Sequence, residues 1–186
     1  MCLILASNSP RRRELLGRLT SDFVVVPSHI DESGSGAPPD QVVRTARAKA
    51  HAVGRTERGV IIGADTIVAI DGEAIGKPKT RDQAGVMLRR LSGRTHVVFT
   101  GLCVWDSATG VNRTGCEETR VTFRSLDDEE IEAYLSTDEY RDKAGAYAIQ
   151  GRAAKFISHI DGDYTNVMGL PLCHLVLLLR EVGVRL

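Results

Sequence analysis

The sequence predicts a mixed α/β fold, in which helices flank a sheet that contains both parallel and antiparallel strands. Two observations lead to this class: strand-like and helix-like segments alternate along the 186 residues, and two pairs of strands are joined by short hairpin turns. Alternation alone favours a parallel doubly wound sheet, whereas hairpins join antiparallel neighbours. The length suits one α/β domain or two small lobes around a cleft, and we expect a single compact domain over residues 1–186.

The first predicted elements are a short strand and a helix. Residues 3–5 form an apolar run typical of a strand, Ser9 suits a helix N-cap, and Pro10 suits the first helical position. The β-branched segment 22–32 predicts a second strand, and the Gly/Ser/Pro-rich residues 33–39 predict a loop.

The next predicted element is an amphipathic helix over residues 40–53. Helical periodicity places Val43, Ala46 and Ala50 on its apolar face and Lys49 near the opposite side. The lysine is therefore expected away from the face that packs on the sheet.

Two antiparallel strand pairs follow. Residues 59–78 contain two strands joined by Asp71-Gly72, a strong signal for a two-residue hairpin. Residues 95–106 and 116–126 predict a second pair, joined near 107–110.

Capping residues place two more helices. Thr80 and Gln83 form a capping box for a helix that runs to about Leu91 and stops at Gly93. Ser125 suits the cap of the following helix, whose first turn carries the acidic residues that the helix dipole favours.

The closing segment, 170–184, predicts a helix that is apolar on most sides, and such a helix packs in the core or against a second subunit. Its aliphatic stretch is far shorter than the ~20 residues that cross a bilayer, so no membrane association is expected. The 24 basic and 24 acidic residues balance, which argues against general binding of nucleic acid. The cysteines lack zinc-site spacing and no signal peptide is evident, so we expect reduced thiols in a soluble, cytoplasmic protein: Cys2, Cys103, Cys116 and Cys173.

Three arginines occupy the first turn of the opening helix, where the helix dipole disfavours cations. Each of Arg11, Arg12 and Arg13 costs roughly 0.3–1 kcal/mol there unless something compensates. A bound polyanion would reverse that cost, because backbone N–H groups, the dipole and guanidinium groups all attract phosphate. Solvated surface arginines are the alternative.

Asp65 lies in an otherwise aliphatic strand, where a buried carboxylate needs a cation or a proton. Mg²⁺ binds through one or two carboxylates plus substrate phosphates, so Asp65 and Glu32 are candidates for a metal and water site. The alternative is that Asp65 merely pairs with a lysine or caps a turn. Thr66 lies on the opposite face of a regular strand unless a bulge at Gly63 redirects it.

Two further polar residues suit a nucleotide. Lys77, in "GKP" after a strand, offers a point charge for phosphate, although a surface lysine is the more frequent explanation. The Gln150 amide presents a donor beside an acceptor, which matches the O4/N3–H edge of uracil or thymine and also serves adenine. No P-loop, dinucleotide fingerprint, nucleophile elbow or zinc-protease motif is present. Together these residues suggest nucleotide hydrolysis.

The ordered motifs "SNSPRRREL", "ADT", "GKP", "TDEYRDKAGAYAIQGRAAKFI" and "GDYTNVMGLP" resemble the Maf-like nucleotide pyrophosphatase family over nearly the whole chain. The resemblance implies a Maf/ITPase-like mixed α/β fold with two lobes around a central groove. It also implies hydrolysis of nucleoside triphosphates to monophosphate and pyrophosphate, a divalent cation (Mg²⁺, with Mn²⁺ as the alternative) and a homodimer. "DKAGAYAIQG" is similar to the dTTP/UTP-cleaving branch, although Ala148 stands where many of its members have glycine.

The resemblance assigns roles residue by residue. It makes Asp65 the proton acceptor and gives specificity roles to Arg11, Thr66 and Gln150. Six further groove positions are expected to hold phosphate or metal: Ser7, Ser9, Arg12, Glu32, Lys49 and Lys77. Because an ordinary aspartate has a pKa near ~3.9 and bound metal lowers it further, Asp65 is either a general base or mainly a metal ligand.

Competing functions remain at this stage. The family name derives from inhibition of septum formation, so a non-enzymatic nucleotide-binding regulator of cell division is the alternative from another class. Within the enzymatic interpretation, modified pyrimidine triphosphates compete with dTTP and UTP in the cleansing of nucleotide pools.

Overall fold

The fold is a mixed sheet with helices on both faces. The computed structural model describes residues 2–32, 34 and 36–186, and within these ranges seven strands form one sheet in the order β2-β1-β3-β5-β6-β7, with β4 paired to β3. The β1 strand pairs in parallel with β2 and β3, and the other pairs are antiparallel. The strands are β1 (Leu3–Ala6), β2 (Val24–Val25), β3 (Val60–Ile70), β4 (Glu73–Ile75), β5 (Thr95–Asp106), β6 (Asn112–Phe123) and β7 (Ile157–Asp161).

The helices divide unequally between the two faces of the sheet. One helix, α2, covers the smaller core, and the remaining α-helices of the described ranges lie on the other face with the larger core. The helices are α1 (Pro10–Gly17), α2 (Pro38–Val53), α3 (Arg81–Leu91), α4 (Asp128–Leu135), α5 (Tyr164–Met168) and α6 (Leu172–Glu181). Alternate residues of β3 explain the division, because Ile61 belongs to the smaller core and Ile62 to the larger.

Two glycines allow α2 to lie directly on the sheet. A Cβ atom at Gly63 would stand 2.1 Å from the Ala46 carbonyl oxygen, and one at Gly101 would stand 2.3 Å from backbone atoms of Val42. Backbone therefore packs against backbone at both points. This close approach fixes the height of α2 above β3 and β5 and so determines how far its side chains reach along the strands.

The predicted mixed α/β class and both hairpins are confirmed. Asp71 and Gly72 join β3 to β4 with positive φ angles of 55° and 77°, as a two-residue hairpin requires. Thr80 caps α3, and Gln83 reaches back to the amide of the preceding residue, Lys79, rather than to that of the cap residue. Gly93, at φ 69°, follows the end of this helix as predicted.

One predicted strand is shorter than expected, and one predicted cap is wrong. The segment 22–32 contributes only the two-residue strand β2, because its partner β1 ends at Ala6, which lies opposite Val26 in this register. Asp127 rather than Ser125 caps α4, and its carboxylate accepts a hydrogen bond from the amide of Glu130 at 2.8 Å. Of the predicted loop 33–39, Ser33 and Ser35 lie outside the described residues.

The predicted orientation of α2 is also wrong, by one residue of helical phase. The buried stripe runs through Val42, Ala46, Lys49 and Ala50, while Val43 is only partly buried. Lys49 therefore lies on the face that packs against the sheet, and its side chain is enclosed rather than solvated.

The closing helix α6 is buried along one side. Leu175, Leu178 and Leu179 enter the larger core, whereas Leu177 is 52% exposed. Within the described residues, none of the helices has both the length and the apolar character that crossing a membrane would require.

Replacement of Gly63 by alanine tests the close approach of α2. We expect Gly63→Ala to lower the free energy of unfolding by about 3 kcal/mol, since the new methyl group must push the backbone of α2 away from β3. Chemical denaturation measures the change. Gly17→Ala is the matched control, because its Cβ meets nothing within 4 Å, and it should leave the stability unchanged or slightly raised. Equal stabilities of the two variants would contradict the proposed constraint.

Candidate active-site groove

A groove opens where β3 lacks a neighbour along one edge. The pairing of β1 with β3 ends at Gly63, and the pairing of β4 with β3 begins at Val68, so residues 64–67 separate the two ladders. The register with β5 is continuous from Val60 to Ala69, and no bulge disturbs it at Gly63. Asp65 and Thr66 therefore point to opposite faces of the sheet, yet both line the same groove.

The groove has the size of a ligand site, with a volume of about 690 Å³. It brings together all ten residues that the sequence analysis nominated: Ser7, Ser9, Arg11, Arg12, Glu32, Lys49, Asp65, Thr66, Lys77 and Gln150. Their shared location is observed, whereas their individual roles stay predictions.

Lys49 joins the two carboxylates on the α2 side of the sheet. Its Nζ atom lies 2.8 Å from Asp65 Oδ1 and 2.8 Å from Glu32 Oε1, and the residue is only 5% exposed. A buried ammonium needs such partners, because an unpaired charge in the interior is costly. The lysine pairing that the sequence left as an alternative for Asp65 is thus present, within a three-residue charge cluster.

Glu32 is held in its ionised form. Partial burial opposes ionisation, but the hydrogen bond from Lys49 and the charges of Lys49, Lys77 and Arg12 outweigh it and lower the pKa of Glu32. A carboxylate that stays charged at neutral pH suits a site for a cation.

The carboxylate pair fits a divalent cation. Among the described residues no group of three or more histidine, cysteine, aspartate or glutamate side chains is placed to hold a metal, whereas Asp65 and Glu32 converge on Lys49. Mg²⁺ is commonly bound by one or two carboxylates, with substrate phosphates and water completing its coordination. The donor set, Asp65 and Glu32, matches that requirement.

Arg12 occupies the other side of the sheet. It is 9% exposed, its Nε donates to the Gly169 carbonyl oxygen at 2.7 Å, and its Nη2 donates to Thr66 Oγ1 at 3.0 Å. Burial lowers its pKa, although the charges of Asp65 and Glu32 oppose that shift. Among the described residues its two hydrogen-bond partners are neutral oxygens, so the guanidinium charge remains available to an anion in the groove.

The start of α1 adds donors to the same wall. Ser9 is the N-cap, with Arg12 N at 3.5 Å from its hydroxyl, and Ser7 Oγ accepts from the Ser9 amide at 3.1 Å. Arg11 is half-buried against the groove, and its pKa is lowered by burial. Arg13 is exposed and does not line the groove, so the hypothesis of a three-arginine phosphate cluster is corrected: Arg11 and Arg12 line the groove, and their binding of phosphate stays a prediction.

A loop formed by residues 142–151 contributes seven residues to the lining of the groove, 142–144 and 147–150. Gly145 and Ala146 have positive φ angles of 69° and 63°, and the Gly145 amide donates to the Gly76 carbonyl oxygen at 3.2 Å, beside the exposed Lys77. Gln150 is exposed at the groove.

Tyr147 anchors this loop in the core. Its hydroxyl lies 2.8 Å from Nε2 of the buried His96 on β5, and the two rings meet edge to face. Phe123 packs edge to face against both rings. This aromatic cluster supports the backbone that carries Gln150.

The sequence analysis missed several residues that the groove depends on. Lys143 lines the groove, and burial, together with the charge of Arg11, lowers its pKa. It belongs to the quoted segment "TDEYRDKAGAYAIQG", so its charge and position were available as a signal. Thr100 and Asn166 lie behind the groove and are fully buried, and nothing local in the sequence marks them.

Comparison with known proteins gives consistent relatives. A family model described as Maf-like protein matches residues 2–182. The dTTP/UTP pyrophosphatase of Thermococcus gammatolerans is 50% identical over 181 residues, covering 97% of this chain and 96% of that protein. The dTTP/UTP pyrophosphatase of Pelotomaculum thermopropionicum is 47% identical over 184 residues, covering 97% and 96%. The solved Ham1 protein of Staphylococcus aureus, at 13% identity and a TM-score of 0.49, covers 66% of this chain and 72% of that chain, a similarity too low to carry an argument.

His96 gives the stability a defined pH dependence. Burial lowers its pKa from 6.5 to about 4, so the folded protein favours the neutral ring and the unfolded chain binds the proton first. The contribution of neutral His96 to the free energy of unfolding is therefore fully present above pH 6.5. It should fall by about 3 kcal/mol as the pH drops to 4. Urea denaturation across this range should show a shallower loss for His96→Gln and no difference for the exposed control His159→Gln. Parallel curves for His96→Gln and the unmodified protein would contradict the assignment.

Proposed function

Because the chain belongs to the Maf-like protein family, we propose that it hydrolyses dTTP and UTP to the monophosphate and pyrophosphate. The observation that carries the proposal is the pairing, in one groove, of a carboxylate cluster around Lys49 with a buried arginine that donates hydrogen bonds to neutral oxygens. Such a groove suits a ligand with strong negative charge. The reaction would remove unwanted triphosphates from the nucleotide pool.

The triphosphate is proposed to lie along the Arg12 wall. Arg12 and Arg11 supply guanidinium groups, Lys77 supplies a point charge at the rim, and the start of α1 supplies backbone N–H groups. Negative charge grows on the oxygens of the pyrophosphate leaving group as its bond to the α-phosphorus breaks. Fixed donors of this kind stabilise that charge and contribute most of the rate enhancement in phosphoryl transfer.

The attack on the α-phosphorus is proposed to occur at the Lys49 cluster. Asp65 and Glu32 would hold Mg²⁺ or Mn²⁺, which when bound supplies a Lewis acid that neutralises phosphate charge and activates water. Lys49 fixes one oxygen of each carboxylate. Asp65 would either accept the proton of the attacking water or serve mainly to hold the cation.

The base is proposed to lie against the 142–151 loop. The exposed Gln150 amide offers one donor and one acceptor to the edge of uracil or thymine. Ala148 is 6% exposed and lines the groove beside Gln150.

We also propose that the protein acts in the cytoplasm as a homodimer. The four free cysteines suit a reducing compartment. The exposed Leu177 on α6 is an apolar side chain that a second subunit could cover. Modified pyrimidine triphosphates are additional candidate substrates.

A product assay separates the enzyme from a non-enzymatic nucleotide-binding regulator. The purified chain is incubated with dTTP or UTP and Mg²⁺, and pyrophosphate and orthophosphate are measured separately. Pyrophosphate that appears before orthophosphate supports the proposed reaction. Nucleotide binding without any product would favour the regulator.

The two neighbouring arginines of α1 give a matched pair for the phosphate site. We expect Arg12→Ala to lower kcat/KM for dTTP by about 10²-fold or more, because the substitution removes a buried guanidinium that is proposed to stabilise charge on the triphosphate. Arg13→Ala removes an exposed arginine of the same turn and should change kcat/KM less than about twofold. Similar losses in both variants, with thermal unfolding unchanged, would contradict the assignment of Arg12.

Replacement of Asp65 by asparagine separates its two roles. We expect Asp65→Asn to lower turnover by about 10²-fold or more in either role. Bound Mn²⁺ is then counted by equilibrium dialysis, and pH–rate profiles are compared with those of the unmodified protein. Loss of bound Mn²⁺ assigns Asp65 as a ligand, and retained Mn²⁺ with an altered pH profile assigns it as the base. Unchanged turnover would remove both roles.

A further inference from the structure

The Thr66 hydroxyl is joined to a second threonine hidden behind the groove. Thr100 lies directly opposite Thr66 in the β3–β5 register, and the two Oγ1 atoms are 2.9 Å apart. Thr100 is fully buried and does not line the groove. The proton in this hydroxyl pair belongs to only one of the two oxygens, and its owner follows from the other contacts.

The proton of Thr100 is committed elsewhere. Thr100 Oγ1 lies 3.1 Å from the carbonyl oxygen of Asn166, and a carbonyl only accepts hydrogen bonds, so Thr100 must donate. The same carbonyl also accepts from the Gly169 amide at 2.9 Å. If the Thr100 proton turned towards Thr66 instead, two acceptor oxygens would face each other at 3.1 Å in the interior without a proton between them. This arrangement is unfavourable.

The backbone carbonyl of Asn166 is held in place by the side chain of the same residue. The Asn166 side-chain nitrogen donates to the Val98 carbonyl oxygen at 3.0 Å and to Thr119 Oγ1 at 2.9 Å, and the residue is fully buried. The chain then turns at Gly169, with φ 107°, and delivers the carbonyl that accepts from Arg12. The segment 166–169 is therefore held at both ends.

These contacts fix the polarity of Thr66. Its proton is donated to Thr100, since Thr100 has none left to give, and one lone pair accepts from Arg12 Nη2 at 3.0 Å. A hydroxyl has one donor and two acceptor positions, so a single lone pair remains. Thr66 lines the groove, and that lone pair is what it can present to a ligand.

We propose that Thr100 is a positioning residue that makes Thr66 an obligate hydrogen-bond acceptor, so that the groove selects a nucleotide whose base presents an N–H group. The inference rests on the proposed function, and it deepens the account of substrate choice. The triphosphate carries only acceptor oxygens at neutral pH, so the remaining lone pair of Thr66 suits a donor on the nucleoside, although the neighbouring Arg12 is proposed to hold phosphate. Uracil and thymine carry an imide N3–H donor, which Thr66 would share with the Gln150 amide oxygen in a three-centre hydrogen bond. N3 of cytosine is an acceptor and would meet the Thr66 lone pair with repulsion.

The test measures kcat/KM for UTP and CTP by pyrophosphate release. Thr100→Val keeps the β-branched shape but removes the hydroxyl, which frees the Thr66 proton to turn into the groove and donate to cytosine N3. We expect the UTP-to-CTP ratio to fall at least tenfold, chiefly through a higher KM for UTP and a lower KM for CTP. Thr100→Ser retains the hydroxyl and should keep the ratio within about twofold of the unmodified protein.

The same strand offers a matched control. Thr95 on β5 shares a 2.9 Å hydroxyl pair with Thr122, on the exposed surface and away from the groove. Thr95→Val should leave the ratio unchanged. In a double-mutant cycle with Thr66→Val, Thr100→Val should have no further effect on the ratio, because it acts through the Thr66 hydroxyl.

A sugar hydroxyl is the alternative donor on the nucleoside. A second set of measurements distinguishes this O–H group from the N–H group of the base. If the base N–H is the donor, Thr100→Val lowers kcat/KM for dTTP and for its 3′-deoxy analogue by the same factor. A loss confined to dTTP would assign the contact to the 3′-hydroxyl and overturn the proposal.

The remaining outcomes are also decisive. An unchanged UTP-to-CTP ratio in Thr100→Val, a Thr100→Ser variant that behaves like Thr100→Val, or an unmodified protein with less than tenfold preference for UTP would each overturn the proposal. Thermal unfolding checks that the variants fold. If Thr100→Val does not fold, the measurements on Thr100→Ser and on the unmodified protein can still overturn the proposal. Absence of pyrophosphate from every nucleotide with both the unmodified protein and Thr95→Val would instead refute the proposed function.

Discussion

The buried ammonium of Lys49 is the interaction on which the groove depends. An ammonium in the interior is tolerated only with anionic partners, and Lys49 has two, Asp65 and Glu32, from distant parts of the chain. The lysine reaches them because α2 lies backbone to backbone on the sheet at Gly63 and Gly101. The need for a residue without a Cβ atom at each of these two positions thus determines where the carboxylates meet.

The opposite face of the sheet solves a different electrostatic problem. There Arg12 is buried beside neutral oxygens, the Gly169 carbonyl and the Thr66 hydroxyl, so its charge is only partly compensated. The hydrogen bonds behind Thr66 hold these oxygens through Thr100 and Asn166. A cation kept in place without a carboxylate retains its attraction for an anion from outside, which is the property that a phosphate site needs.

Much of the fold and the membership of the groove followed from the sequence. Caps and hairpins depend on neighbouring residues, so the turn at Asp71-Gly72 and the start of α1 at Ser9 were predictable. The phase of α2 was not, because valines at both 42 and 43 fit an apolar stripe, and only the packing on β3 decides between them. The roles of Thr100 and Asn166 were also hidden, since they arise from contacts between residues 66 positions apart.

The open stretch of β3 at residues 64–67 gives the groove two walls, one on each face of the sheet. Consecutive side chains, Asp65 and Thr66, serve opposite faces, and each is supported by a different set of helices. Under the proposed roles, substitutions on the Thr66 face would alter which base is admitted while the lysine-bridged carboxylates stay intact. The same fold would therefore accommodate a change of substrate range without a change in the Lys49 carboxylate cluster. The α2 face tolerates less substitution, because Gly63 and Gly101 leave no room for a Cβ atom.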